Sequence, residues 1–352
     1  MQSWTWPKTL FASFLVLALA VGSAHAVTTP AAEVGNEEMI AHYERQAIGK
    51  DVWVIDSRPT GKYSAGHIPG AIGLPLDVLK RDTTGSANLA IPKTGKVIFY
   101  CAGRECTLSV DSAEIFKKLG YADVAVYRNG IPGWMQKMQP LLAEESHIKK
   151  GNVVLIDTAV GQDTIVTSAN QIIQLSLADL KSGKGQALLA ELSRNAPLVV
   201  IERGKMAAVN EVLEELRDLD FRRLAYFPIT AWQGGLAVAP TPKVATWAPV
   251  YGPGQVAPKA FENAVASGQF ILDVRPAADH AYGHFKGAIN IPVEELANES
   301  SKVPQGQPVF VHCATGAKSQ KTYDILGRKG YANVSYLDAE VACKGESCTI
   351  KE

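Results

Sequence analysis

The 352-residue sequence predicts an α/β protein of three tandem units, each a mainly parallel sheet with helices on both faces. Three observations lead there. Apolar runs of strand length pass into Gly-containing loops that open helices, as a strand of a parallel sheet does before its crossover helix. The pattern returns with a period of about 100 to 115 residues, the mark of a domain repeat and not of a solenoid. The chain is also too long for one ordinary domain, whereas two or three of about 100 residues each suit it. Balanced charge, with 35 basic and 35 acidic residues, speaks against a nucleic-acid surface or an acidic partner.

In chain order, residues 1–26 stand apart from the fold. Lys8 supplies a basic start, Leu10 to Val21 an apolar stretch of signal-peptide length, and Ala24-His25-Ala26 a small-x-small cleavage site. Cleavage after Ala26 and a periplasmic or secreted mature chain, free of the membrane, are therefore expected. An uncleaved anchor needs a longer apolar span, of about 20 residues, and no cysteine follows the stretch to carry a lipid. In an oxidising compartment the five cysteines, at 101, 106, 313, 343 and 348, are read with disulfides in mind, and an odd count leaves at least one thiol free or exchangeable.

The first unit, residues 34–142, opens with the strand Val54-Ile55-Asp56, followed by Ser57-Arg58-Pro59 and the turn Gly66-His67-Ile68-Pro69-Gly70-Ala71-Ile72. Its core strand Val97-Ile98-Phe99-Tyr100 runs into Cys101-Ala102-Gly103-Arg104-Glu105-Cys106-Thr107 and then a helix to Gly120. The middle unit, 146–240, keeps the strand Val153 to Asp157 and the core strand Leu198 to Ile201. Its helix from Met206 to Leu219 sets Val209, Val212, Leu213 and Leu216 on one face. Phe221 stands where Tyr121 and Tyr331 stand, and Trp232 where Trp134 does. The third unit, 252–348, repeats the first: Ile271-Leu272-Asp273-Val274-Arg275-Pro276, then Gly283-His284-Phe285-Lys286-Gly287-Ala288-Ile289, the strand Val309 to Val311, the loop Cys313-Ala314-Thr315-Gly316-Ala317-Lys318, and a helix from Ser319 to Gly330. Linkers are expected near Gln139 to Lys150 and Ala239 to Val256, the second rich in Pro and Gly.

A cysteine at the junction of a buried strand and a helix-opening loop is placed for reactivity. Peptide N–H groups of residues 314 to 319 can converge on the Cys313 sulfur, lower its pKa and bind an anion. Cys101 repeats the arrangement. In the middle unit Glu202 takes the cysteine's place, and a carboxylate has no thiolate to offer. Asp157-Thr158-Ala159 also lacks the arginine of Asp56-x-Arg58, so the middle unit reads as non-catalytic.

A strand ending in Asp-x-Arg, a Gly-His-x-x-Gly-Ala turn and a strand-Cys loop-helix some forty residues on resembles, twice over, the rhodanese-type sulfurtransferases. The resemblance implies three rhodanese-like domains with the middle one degenerate. It also implies that Cys101 and Cys313 attack a sulfur donor, become persulfides and pass the outer sulfur to an acceptor. A small anionic donor such as thiosulfate, a thiol or cyanide acceptor and a partner protein thiol are the partners implied, with no cofactor. Gly103, Thr315, Gly316, Lys318 and Ser319 are the donor-binding candidates the resemblance offers, with Arg104 a candidate by its charge and not by its position in the loop. Loop 313–318 matches Cys-x-x-Gly-x-Arg followed by Ser, except that Lys318 replaces arginine and supplies charge without a bidentate fork. Its closer match ranks Cys313 as the better conventional site. In loop 101–106 the glycine comes one residue early, Arg104 sits in the middle, and Cys106 ends the loop. Related phosphatases carry one more loop residue, so the six-residue loops favour sulfur over phosphate.

Asp56, Arg58, Asp273 and Arg275 read as structural ion pairs, and His67 and His284 as turn packing. Cys343 and Cys348 read as a disulfide or a resolving pair, and Cys106 as a resolving thiol or a packing residue. Without paired Cys-x-x-Cys spacing no metal site is expected. Two rivals stand beside sulfur transfer: a thiol-redox protein using Cys101 with Cys106, and a non-catalytic binding scaffold.

Overall fold

The computed structural model describes residues 30–81, 90–241 and 244–351, so the expected signal segment 1–26 lies outside the described residues. The first sheet comprises β1 (Ala32–Glu33), β2 (Val52–Asp56), β3 (Ile72–Gly73), β4 (Lys96–Tyr100) and β5 (Asp123–Tyr127), in the order β1-β5-β4-β2-β3 and parallel throughout. Register sets Asp56 beside Tyr100 and Tyr100 beside Tyr127, so three strands end together where their loops begin. Alternate side chains fill opposite faces. Val54, Ile98 and Ala125 join Trp134 of α5 (Gly130–Gln136) on one side, while Val97, Phe99 and Val126 join Ala113 and Phe116 of α4 (Leu108–Lys118) on the other. Helices α1 (Asn36–Glu44), α2 (Thr60–Ala65) and α3 (Leu76–Arg81) complete the layers.

The middle segment contributes β6 (Val154–Asp157), β8 (Gln171–Gln174), β9 (Leu198–Glu202) and β10 (Leu224–Pro228) as a parallel sheet ordered β10-β9-β6-β8. A separate antiparallel pair joins β7 (Asp163–Ile165) to β11 (Leu236–Val238). Helices α6 (Glu145–Lys150), α7 (Leu177–Lys181), α8 (Gly183–Leu189) and α9 (Met206–Asp218) flank it, and α9 buries Val209, Val212, Leu213 and Leu216, the face the sequence assigned. One core cluster runs through Val54, Ile98 and Ala125 of the first sheet and Leu155, Val199, Ala225 and Phe227 of the middle sheet. A segment without a nucleophile thus keeps a physical task, removing apolar surface of the first unit from water.

The third sheet, β12 (Gln255–Val256), β13 (Phe270–Asp273), β14 (Ile289–Asn290), β15 (Val309–His312) and β16 (Val334–Leu337), is parallel in the order β12-β16-β15-β13-β14, the topology of the first. Helices α10 (Pro258–Ala266), α11 (Ala277–Tyr282), α12 (Leu296–Glu299) and α13 (Ala317–Arg328) surround it. The chain ends in an antiparallel hairpin, β17 (Glu340–Lys344) with β18 (Ser347–Lys351), in which Cys343 faces Cys348 and the two form a disulfide. The loop closed is short, so reduction is expected to cost about 2 kcal/mol by the chain-entropy relation, read as a lower denaturant midpoint in dithiol than without it.

One expectation changes. The stretch from Gln139 to Lys150 is no free linker: Leu142 bridges His67 on one side and Tyr226 on the other, and α6 follows. Polar residues at 144–150 suggested a spacer, but backbone pairing to two sheets anchors the segment.

Candidate active site

Behind each cysteine loop lies a buried ion pair. Arg58 donates through Nε and Nη2 to both oxygens of Asp56 (3.0 and 2.6 Å) and through Nη2 to the Gly66 carbonyl (2.7 Å). Arg275 repeats the contacts with Asp273 (2.9 and 2.5 Å) and the Gly283 carbonyl (2.7 Å). Each arginine therefore ties the end of a strand to the Gly-His turn eight residues on. Burial opposes the Asp273 charge, yet hydrogen bonds from Arg275 and His280 and the charges around it hold its carboxyl below the usual range. His67 stacks on Tyr63 and His284 on His280, which is turn packing.

In the middle segment Arg203, the residue after Glu202, donates to Asp157 (3.0 and 2.6 Å) and to the Asp163 carbonyl (2.7 Å). It supplies from the loop after the core strand the counter-charge that Arg58 supplies from the strand end. Its guanidinium thus neutralises a buried carboxylate. Glu202→Gln is accordingly expected to leave turnover within about twofold, since no transition-state contact is lost. A steady-state assay showing a hundredfold drop would expose a missed role.

Cys101 is buried at the floor of its loop. As a thiol it donates to the Cys106 carbonyl (3.0 Å), and Ser109 Oγ lies 3.3 Å from the sulfur. Burial alone would raise its pKa; hydrogen bonds from the Cys106 thiol, from the Ser109 hydroxyl and from the backbone of Ser109 and Gly103 outweigh burial and bring it to about 7. Alkylation of Cys101 should therefore climb with pH to half its plateau near 7, against about 8.5 for an ordinary thiol. A midpoint above 8 in peptide-resolved iodoacetamide kinetics would contradict this geometry.

Three residues that the sequence did not mark shape this loop. Ser109, in the first turn of α4, sets its hydroxyl beside Cys101 Sγ. Arg128 donates to the carbonyls of Arg104 and Cys106 and braces the turn. Gly130, at φ 53°, begins α5 against the carbonyl of Cys101 and the nitrogen of Gly103, where a Cβ has no room. A hydroxyl shared by the first helical turn in both units was the one readable signal.

Cys313 is also buried, with its Sγ 3.9 Å from Ser319 Oγ. That hydroxyl donates instead to the carbonyls of Gly316 and Leu337, both at 2.7 Å. Gly316 adopts φ 83° as the N-cap of α13, and a Cβ there would strike the Asp338 carboxylate. The α13 helix begins two residues earlier than expected, so Lys318 and Ser319 sit in its first turn. In the first unit α5 covers the loop, with the Ile131 N–H on the Cys101 carbonyl (3.2 Å); here the disulfide hairpin does, with the Val341 N–H on the Ala314 carbonyl (2.9 Å). The hairpin occupies the place of the missing tryptophan helix.

Neither loop cation stands free. Arg104 pairs with Glu33 (2.5 Å) and donates to Asn129 (3.0 Å), and Lys318, buried, lies 3.2 Å from Glu294 Oε1. Both loops open on one cleft of about 1030 Å³, bordered by Ala102, Gly103 and Arg104 of the first and by Ala314, Thr315 and Ala317 of the third. Lys62 and Asp338 pair across it (2.6 Å). Ala317 packs with Cys101, Cys106, Leu76 and Leu108, which joins the two loops through apolar contact.

A rhodanese-like domain model matches residues 37–137 and 257–340, just over half of the chain. The chain belongs to the rhodanese-like domain family. The matched segments are those carrying the two cysteine loops; the middle segment lies outside them. Among curated proteins, this rhodanese-like chain is 29% identical over 105 residues to an HTH-type transcriptional regulator of Mycobacterium tuberculosis, covering 29% of this chain and 41% of the regulator. It is 30% identical over 96 residues to a tRNA uridine(34) hydroxylase of Bacillus thuringiensis, covering 25% of this chain and 30% of the hydroxylase. It thus spans less than half the length of either relative. Among solved structures, a thiosulfate sulfurtransferase of Pseudomonas aeruginosa aligns over 91% of this chain and 70% of its own, at 15% identity and a TM-score of 0.27.

Proposed function

We propose that the protein is a sulfurtransferase that moves sulfane sulfur from a small anionic donor such as thiosulfate to a thiophilic acceptor, a thiol or cyanide, through cysteine persulfides. Cys101 and Cys313 are the nucleophiles, in rhodanese-like domains spanning 34–142 and 252–348. Residues 146–240 form a degenerate domain that lends core and no turnover. Cleavage after Ala26 exports the chain to the periplasm or beyond, where a protein thiol can serve as acceptor. The observation that carries the reading is the repeated site: two buried cysteines, each behind a buried Asp–Arg pair, at loops bordering one cleft.

Each step has residues to perform it. A thiolate on Cys101, supported by Ser109 and the Cys106 thiol, attacks the sulfane sulfur and displaces sulfite. An entering anion can draw Arg104 away from Glu33, because exposed ion pairs are weak. Intact-mass spectrometry of reduced protein after thiosulfate tests the reading. Sulfur from thiosulfate, gained by the chain and removed by cyanide or released from it as sulfide, is expected, and the absence of both gain and release with thiosulfate or polysulfide would refute the reading.

A further inference from the structure

Cys106 ends the first loop at the position where the third loop has Lys318. The two residues behave differently: Lys318 turns toward Glu294, whereas Cys106 turns inward. Its N–H closes a turn on the Gly103 carbonyl (3.0 Å), and its own carbonyl accepts from Cys101 Sγ at 3.0 Å. Both cysteines are buried in one small cluster with Leu76 and Leu108, and both are free thiols. Arg128 holds the turn by the carbonyls of Arg104 and Cys106. A packing residue needs only bulk; here a second buried free thiol shares one tight turn and one cluster with the first.

On this geometry, and resting on the sulfurtransferase reading above, we propose that Cys106 resolves a persulfide formed on Cys101. The first loop then releases the transferred sulfur as hydrogen sulfide and closes as a Cys101–Cys106 disulfide. The Cys106 sulfur attacks the inner, Cys101 sulfur of the persulfide anion; the bond between inner and outer sulfur breaks, and the outer sulfur departs with the Cys106 proton as HS⁻. Two thiol sulfurs lose one electron each and the sulfane sulfur gains two. An external dithiol reopens the disulfide for the next cycle. The hydrogen bond to Cys101, together with burial, pushes the Cys106 thiol well above its ordinary value, so it keeps its proton until Cys101 has taken up sulfur. Bridging requires Cα atoms within about 7 Å, which residues meeting through one hydrogen bond across a tight turn can reach.

The test uses the full-length chain, reduced, freed of reductant and given stoichiometric thiosulfate without cyanide. Wild type is expected to release sulfide and to yield a Cys101–Cys106 crosslinked peptide. Cys106→Ser, which keeps a donor to Cys101, should retain the added sulfur on Cys101 and release at least about tenfold less sulfide. Cys106→Ala serves as the second replacement if serine disturbs the buried cluster. Sulfide release unchanged in both variants, or a stable Cys101 persulfide beside a free Cys106 in wild type, overturns the proposal. A new disulfide at Cys343–Cys348 in place of Cys101–Cys106 overturns it too. If neither wild type nor variant gains sulfur from thiosulfate or inorganic polysulfide, the sulfurtransferase reading itself falls, a result distinct from sulfur that is gained and kept.

Discussion

Replacing Cys101 and Cys313 together with alanine is expected to lower single-turnover thiocyanate formation from thiosulfate by at least about a thousandfold, since both proposed nucleophiles are then gone. The single variants divide the loss. Loop matching ranks Cys313 first; the hydrogen bonds around the two sulfurs argue for the opposite order. Cys101, brought to about 7, is half thiolate at neutral pH and has Ser109 Oγ 3.3 Å away. Cys313 has only the more distant Ser319 hydroxyl, whose proton points at two carbonyls. Freshly reduced Cys101→Ala should therefore lose the larger share of thiocyanate formed in the first turnover at pH 7. A dead Cys313→Ala protein with a fully active Cys101→Ala one would restore the ranking by loop match and refute the electrostatic argument.

Arg275→Leu is expected to be the most damaging single change to the third unit, costing about 3 to 5 kcal/mol, because it leaves the Asp273 carboxylate buried without its main counter-charge. It also frees the Gly283 carbonyl that positions the turn. Lys259→Ala, which breaks an exposed pair with Glu262, should cost less than about 0.5 kcal/mol and serves as the control. Wild type and both variants can be compared by urea denaturation near pH 7. The Asp273 carboxyl is held below its ordinary value in the folded state, so the stability it provides is complete above about pH 4 and lost as pH falls toward the lowered value. The difference between wild type and Arg275→Leu should narrow over that acid range. A cost under about 1 kcal/mol at pH 7 would mean that water reaches Asp273 and that the pair is not structural.

The local elements were legible because their signals are local. Val54 to Asp56, Val97 to Tyr100 and Val309 to Val311 are continuous apolar runs that only a strand covered on both faces can use, and they became the central strands β2, β4 and β15. The α9 face of Val209, Val212, Leu213 and Leu216 follows from helical period alone. The Asp-x-Arg pairs close over two residues, and the Cys343–Cys348 pair over five, so sequence spacing sufficed to suggest them.

The partners of the loop cations were not legible. Arg104 finds Glu33 and Asn129 in segments 71 and 25 residues away, and Lys318 finds Glu294 on the loop after β14. Which carboxylate a flexible cation meets depends on how helices and sheets stack, and no periodicity encodes that. The same holds for Arg203, whose reach to Asp157 depends on β6 and β9 lying side by side. Sequence by itself determined the repeated sheets, the two cysteine loops and the Glu202 that stands in the cysteine's place in the middle segment, because each rests on residue type and spacing along one stretch of chain. Only the tertiary structure decided that both loops border one cleft, that a disulfide hairpin replaces the tryptophan helix over Cys313, and that Cys106 is buried in one cluster with Cys101. Those outcomes depend on side-chain direction and on packing between distant segments, where burial and hydrogen-bond satisfaction select one arrangement among many that the local pattern allows.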